Sequence, residues 1–388
     1  MRNLALTIIT FGIITMFNKF IYANPEDLSC FKKSYHEAQE QFLSLAKEFI
    51  SANSKNQMGV ENISGVSIDF LYMINDSKAP LVIIQSGMHG VEGHVGSAIQ
   101  CYLLKSFKKS PIKHLNFLFI HGINADGFSR NRRVNQNNVD LNRNLFDNPS
   151  GYLTVNDGYI VLKDYLNPKE PLDLGVLSKI KFYLSTAYHI IKHSKDTLKR
   201  TLLRGQYAFP EGIYFGGQKM EPQIMALTNL WNHFGSLHER LLLIDLHTGY
   251  GKRGQLHLLS NSSESEQSKS LQNLFSPTLI DFGDSSEFYQ TTGDNVSGFV
   301  KHFSAKKAIG VAFEYGTLDS QTLTGSIDSL YRLIIENQGH QFGYADANSE
   351  QSAKTLFVEM FYPTDSAWRQ NALEQTQKEF SKVLERLR

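Results

Sequence analysis

The stretch Leu81-Val82-Ile83-Ile84-Gln85-Ser86-Gly87-Met88-His89-Gly90-Val91-Glu92-Gly93 decides how the rest of the chain is read. It opens on a continuous apolar run, the pattern of a strand covered on both faces. It then turns through glycines into a helical pattern over about 93–107. Strand, glycine-rich turn and helix in that order make the unit of an α/β fold, and open α/β sheets place ligands beyond the carboxyl ends of their strands. His89 and Glu92, three residues apart on that turn, can point at one cation, because zinc accepts imidazole nitrogen and carboxylate oxygen. The plainer alternative is a pair of surface residues at a helix start.

Outward from this stretch the same strand type recurs at 115–120, 241–246 and 309–313. Val66, Ile68, Phe70 and Tyr72 alternate, as in a half-buried strand. Helical spacing of apolar residues predicts helices over about 176–200, 219–234 and 325–337. Ser34-Tyr35-His36-Glu37 reads as a capping box ahead of Ala38, Phe42, Leu45 and Phe49. Trp368, Leu373, Phe380, Leu384 and Leu387 predict an amphipathic last helix. Buried strands alternating with helices imply an α/β fold: a mostly parallel, mixed sheet flanked by helices. There is no internal repeat, low-complexity tract or clear linker, so one domain over 31–388 is the simpler organisation.

Composition sets outer limits. With 388 residues, 41% hydrophobic and 20% charged, the chain can bury a large core. A net charge of +1 gives no overall bias toward nucleic acid or an anionic membrane surface. Two cysteines, Cys30 and Cys101, make no disulfide framework and exclude a zinc site built on thiolates. Arg2, an apolar run over 4–17 and Ala23 read as a secretory signal over about 1–23, which implies export to a periplasmic or extracellular space. An uncleaved segment there is the one route to a membrane that this pattern offers.

Three further segments carry chemistry, each at or just past a predicted strand. In Leu243-Ile244-Asp245-Leu246-His247-Thr248-Gly249, a histidine ends an apolar strand, and Asp245 points to the same face two residues earlier. A carboxylate beside a ligand histidine is a common device, and a core histidine satisfied by its neighbour is the alternative. Asn124-Ala125-Asp126-Gly127, Arg132-Arg133-Val134-Asn135 and Val139-Asp140-Leu141-Asn142-Arg143-Asn144 gather arginine and asparagine suited to carboxylates and oxyanions. Their plainer reading is a solvated loop. In Val311-Ala312-Phe313-Glu314-Tyr315-Gly316-Thr317, Glu314 is either an end-of-strand residue or a general base in a cleft.

Together these segments resemble the zinc carboxypeptidase superfamily, which includes succinylglutamate desuccinylase and aspartoacylase. The match is closest to the subfamily DUF2817, through Tyr35-His36-Glu37-Ala38, Ser86 through Gly93, Gly96-Ser97, Arg132 through Asn144, and Asp245 through Gly249. It covers about 31–340. The resemblance implies one zinc ion held by His89, Glu92 and His247, with Glu314 as general base and acid. It implies Arg133 as the group that polarises the scissile carbonyl, and Asn142 with Arg143 as the pair that holds a substrate carboxylate. Asp140 is implied to orient the first ligand histidine. The expected activity is hydrolysis of an amide bond next to a free carboxylate, in a small peptide or an N-acyl amino acid. A catalytically idle protein that binds peptides or cell-wall fragments is the alternative, but no ligand, base or arginine of the pattern is missing. No Gly-x-Ser-x-Gly elbow supports a serine hydrolase. Two departures stand out. Peptide-cleaving members carry a tyrosine that closes over the substrate, and the nearest candidate by position is Tyr289. The stretch 150–215 has no counterpart in the small carboxypeptidases and is expected to be an insertion walling the cleft. Glu211 through Gly217 also resembles DUF2817, in a role the residues do not reveal.

Overall fold

The structure is a computed structural model that describes residues 25–260, 266–282 and 291–387. The apolar segment over 1–23 and Tyr289 lie outside the described residues. The strands are β1 Gln57–Ile63, β2 Val66–Met73, β3 Leu81–Ser86, β4 Asn116–His121, β5 Arg240–Thr248, β6 Leu256–Ser260, β7 Ile280–Phe282 and β8 Lys307–Tyr315. The helices up to the middle of the chain are α1 Tyr35–Ala52, α2 Gly93–Lys109, α3 Ala125–Ser129, α4 Asp157–Leu166, α5 Val176–His193 and α6 Lys195–Leu203. The later ones are α7 Pro222–Leu230, α8 Glu266–Phe275, α9 Asn295–His302, α10 Leu323–Phe342, α11 Ala347–Phe361 and α12 Ser366–Arg386.

The eight strands among the described residues form one sheet in the order β1-β2-β4-β3-β5-β8-β6-β7. Its centre, β4-β3-β5-β8, is parallel. The pairs β1/β2, β2/β4 and β6/β8 are antiparallel, which makes the sheet mixed. The central strands are apolar throughout because both faces are covered, and alternate residues serve two cores. Val82, Ile84, Ile244, Leu246 and Phe313 join the core under α1, α2 and α12. Leu81, Ile83, Leu241, Leu243 and Ala312 join the opposite one, under α7 and α9. Asp245, His247 and Glu314 keep the parity of this second set, so they stand on the α9 side of the sheet.

Local chemistry explains where elements begin and break. Ser34 caps α1 by accepting the Glu37 N–H at 3.2 Å, and Glu37 accepts the Lys33 N–H at 2.9 Å, one residue outside the expected reciprocal bond. The helix expected over 176–200 is two helices: Ser194, at φ +66°, ends α5 and caps α6 through the Thr197 N–H. Pro222 occupies the first turn of α7, where its missing N–H costs no hydrogen bond, so the helix starts later than periodicity suggests. The short or weakly apolar elements β1, β6, β7 and α11 had no clear pattern in the sequence.

Cys30 and Cys101 form a disulfide across a separation of 71 residues, tying the turn at Pro25–Cys30 to α2. The stretch 150–215 contributes α4, α5 and α6, which share an apolar cluster with α10 through Tyr159, Leu162, Leu198, Leu202, Leu330 and Ile334.

Candidate metal centre

The centre is built where three neighbouring parallel strands end. Beyond β3, Gly87 turns the chain at φ +75°, a conformation that glycine adopts freely. His89 follows in extended backbone, and Gly90–Glu92 makes a single tight turn into α2. Gly90 sits so close to α3 that an added Cβ would lie 2.1 Å from the Gly127 carbonyl carbon. The N–H groups of Gly90 and Val91 donate to the carbonyls of Arg133 and Arg132, at 3.1 and 2.9 Å. The His-x-x-Glu turn and the arginine loop are therefore one stitched unit.

His89, Glu92 and His247 are all buried, and one donor atom from each lies within 4.8 Å of the others. His89 Nδ1 is 2.8 Å from Glu92 Oε1, and His247 Nδ1 is 2.9 Å from Glu92 Oε2. The far nitrogens face carboxylates: His89 Nε2 lies 3.0 Å from Asp140 Oδ1, and His247 Nε2 lies 2.9 Å from Asp245 Oδ2. Carboxylates behind the rings favour hydrogen on Nε2, and once the His247 Nδ1–H that meets Glu92 Oε2 is given up, both Nδ1 lone pairs would face inward. Among the described residues His89 Nδ1 has no hydrogen-bond partner. Two inward imidazole nitrogens and one carboxylate fit a three-ligand, open zinc site.

The surrounding hydrogen bonds hold the donors still. Glu92 Oε2 also accepts the Thr248 N–H at 3.1 Å, and Glu92 Oε1 accepts from Arg133 Nη1 at 3.1 Å. Arg133 Nε donates to Asp140 Oδ2 at 3.2 Å, and Asp140 Oδ1 accepts the Asn142 N–H at 3.0 Å. Asn295 Nδ2 donates to Asp245 Oδ2, and the Asn295 N–H donates to Asn142 Oδ1, both at 2.9 Å. Asn295 thus joins the carboxylate behind His247 to the loop that carries Asn142. Neither periodicity nor spacing marks it in the sequence.

Electrostatics follows from this packing. Burial alone would raise Glu92, but the His89 and His247 rings outweigh it and hold the carboxylate below its ordinary range. Burial also opposes the charge on Asp140, and Arg133 and His89 overcome it, leaving the group well below the usual value. Burial would lower His247, yet Asp245 and Glu92 raise it well above an ordinary imidazole. Glu314 differs from the other carboxylates: burial pushes it up to about 7, and the nearby His247 only partly offsets that. Among the described residues its Oε2 has no hydrogen-bond partner.

The arginine- and asparagine-rich loop is not solvated. Arg132, Asn135, Asn138, Asp140, Arg143 and Asn144 are buried. Arg132 pairs with Glu336 at 2.7 Å and Asn135 donates to Glu221 at 2.8 Å, so these two brace the loop away from the centre. Arg143 donates from Nε to the Leu203 carbonyl and from Nη1 to the Asn142 carbonyl, at 3.0 and 2.7 Å. Tyr214, held at φ +56°, lies under both Arg133 and Arg143, with its ring centroid 5.3 and 5.8 Å from their guanidinium carbons. It belongs to the segment 211–217, and nothing local in the sequence points it at the site.

These groups face one cavity of about 240 Å³. His89, Arg133, Asn142, Arg143, Tyr214, His247 and Glu314 line it on the polar side. Ile190, Leu198, Leu202, Leu330, Leu333 and Phe361 line it elsewhere, the first three coming from the 150–215 stretch.

The model of the family DUF2817, described as a protein of unknown function, matches residues 31–375. The chain belongs to DUF2817. No curated protein matches it in sequence. Among solved structures, it is similar to bovine thrombin-activatable fibrinolysis inhibitor in complex with tick carboxypeptidase inhibitor. That likeness has 13% identity and a TM-score of 0.43, covering 84% of this chain and 96% of that one. Carboxypeptidase A from Helicoverpa armigera matches with 13% identity and a TM-score of 0.43, covering 92% of this chain and 82% of that one. Murein-tripeptide amidase MpaA from Escherichia coli O157 matches with 12% identity and a TM-score of 0.34, covering 82% of this chain and 97% of that one.

Proposed function

We propose that this DUF2817 protein is a zinc-dependent hydrolase of an amide bond next to a free carboxylate. The observation that carries the reading is the pairing of a buried three-donor group with a neighbouring carboxylate that burial pushes up to about 7. Glu314 lies in register with His247 on the adjacent strand and lines the same cavity, and its Oε2 has no hydrogen-bond partner among the described residues.

His89, Glu92 and His247 would hold zinc through two Nδ1 atoms and a carboxylate oxygen. Bound there, zinc supplies Lewis acidity. The chain supplies the rest. Glu314, raised toward neutrality by burial, is suited to take a proton from an attacking water and return it to the leaving nitrogen. Arg133, stacked on Tyr214, offers positive charge to a developing oxyanion. Asn142 and Arg143 present a donor-rich edge to a substrate carboxylate, with Arg143 oriented by the Leu203 and Asn142 carbonyls. A C-terminal residue of a peptide and an N-acyl amino acid both satisfy this arrangement.

Export is proposed for the same protein. The apolar run over 4–17 motivates it, and the Cys30–Cys101 bridge is the kind of bond that persists in an oxidising compartment.

The function is tested by loading the purified protein with zinc and screening short peptides and N-acyl amino acids, with and without a chelator. Chelator-sensitive release of a free amino acid supports the reading. Zinc-loaded protein that cleaves neither class contradicts it.

A further inference from the structure

Helix α5 is attached to the body along a narrow side. Thr186 is its only buried residue, and Phe182 and Ile190 are partly buried against the cluster that includes Leu162, Leu198 and Leu330. The other side is apolar and open to solvent. Leu177, Leu184 and Ile191 are 80%, 68% and 86% exposed, and Ile180, Tyr183 and Tyr188 are exposed with them. At helical spacing these six residues fall in one unbroken arc of about 140°. Lys181 and Lys192 border that arc on one side and Lys179 on the other.

Charge is concentrated here as well. The whole chain carries a net +1, yet 176–204 holds seven lysines and arginines against one acidic residue, Asp196. A wide apolar arc, lysines at its borders and tyrosines within it is the composition of a helix lying in a membrane interface. No described helix is long and apolar enough to cross a membrane, so α5 would lie on the surface.

We infer that α5 docks the protein onto a bilayer with anionic headgroups. Its leucine and isoleucine side chains enter the acyl boundary, and the lysines of α5 meet lipid phosphates. Ile190 of α5 and Leu198 of α6 also line the cavity that holds His89 and Glu314, so the docked helix forms part of the cavity wall. The inference stands apart from the zinc reading, since none of its residues is a proposed ligand or catalytic group.

The test is flotation of the full chain with phosphatidylcholine vesicles, made with and without phosphatidylglycerol. Two variants are compared with wild type: Leu177→Glu/Leu184→Glu/Ile191→Glu and Lys179→Glu/Lys181→Glu/Lys192→Glu. All these positions are exposed, and circular dichroism verifies the fold. Wild type should bind phosphatidylglycerol vesicles about tenfold or more tightly than neutral ones, and each variant should lose about tenfold or more of that affinity. Three results would overturn the proposal. One is no vesicle binding by wild type, including the case of a dimer that the leucine-face variant splits. Another is binding indifferent to phosphatidylglycerol. The third is binding by both variants as tight as that of wild type, as the apolar segment near the N-terminus would give if it anchored the chain alone.

Discussion

Glu314 stands beside His247 in the parallel ladder of β5 and β8, at the carboxyl ends of both strands. Two backbones hydrogen-bonded in register fix this neighbour relation, and no loop intervenes. A carboxylate pushed up to about 7 by burial is thereby held within electrostatic reach of a carboxylate, Glu92, that its histidine neighbours keep ionised. Carboxylates pushed in opposite directions at one site agree with the roles proposed for them, in which Glu92 binds and Glu314 exchanges protons.

Zinc binding should release a proton. Without metal, Asp245 and Glu92 overcome the effect of burial and keep His247 protonated well above the usual imidazole range. A cation at Nδ1 requires the neutral ring, so zinc displaces that proton and affinity rises with pH through neutrality. Titration calorimetry at pH 7 in buffers of different ionisation enthalpy should report between one and two protons released per zinc, one from His247 and a fraction from Glu314. His89→Ala and His247→Ala should each lose the metal. Buffer-independent heats, or zinc retained by both variants, would contradict the ligand set.

The Arg143 guanidinium should select for a free carboxylate. It is buried, lines the cavity and keeps an edge beyond its two backbone acceptors. Losing a charge-assisted pair of this kind costs about 2–3 kcal/mol, so wild type should favour a free acid over its amidated twin by about tenfold or more. Arg143→Ala should lose most of that preference in kcat/KM. Equal cleavage of both forms by wild type would remove the anchor and leave a broader amidase.

Tyr214 should act through its ring. It stacks under Arg133 and Arg143 in a left-handed backbone conformation that tyrosine rarely adopts. Tyr214→Phe keeps the stack, whereas Tyr214→Leu gives up about 0.5–2 kcal/mol per cation–π contact. Steady-state kinetics should therefore show KM near wild type for the phenylalanine variant and raised for the leucine variant. A large fall in kcat for Tyr214→Phe would instead assign the hydroxyl a chemical role.

What could be read in advance, and what could not, follows from the range of the interactions. The strands β3, β5 and β8 were legible because burial on both faces leaves an apolar run, and His89, His247 and Glu314 were legible as polar residues at the ends of such runs. Asp245 was placed by strand parity alone. Tyr214, Asn295 and the Leu203 carbonyl reach the site from distant segments, and no local pattern encodes such a meeting. The pairing of Cys30 with Cys101 is of the same kind, across 71 residues. The break at Ser194 was hidden because apolar residues keep helical spacing on both sides of it. The basic character of 176–204 was hidden by a chain that is nearly neutral as a whole.

The bridge and the leader can be checked together. Protein from the native host should begin after residue 23 and show no free thiol before reduction. Replacing both cysteines by serine should lower stability by about 2–4 kcal/mol in denaturant titrations. A product that starts at Met1 with two reactive thiols would rule out export and the bridge.

The central claim is that Glu314 carries the proton beside a zinc held by His89, Glu92 and His247. The most direct measurement is the turnover of zinc-loaded Glu314→Gln against wild type, on whichever peptide or N-acyl amino acid the wild type cleaves, with zinc content determined on the same samples. The account predicts full zinc occupancy and a fall in kcat of about 10²–10⁴. Wild-type kcat/KM should also decline below a midpoint no higher than about 7, because the base must be ionised and a bound cation lowers its pKa from there. A zinc-loaded Glu314→Gln enzyme that turns over at near wild-type rate would contradict it.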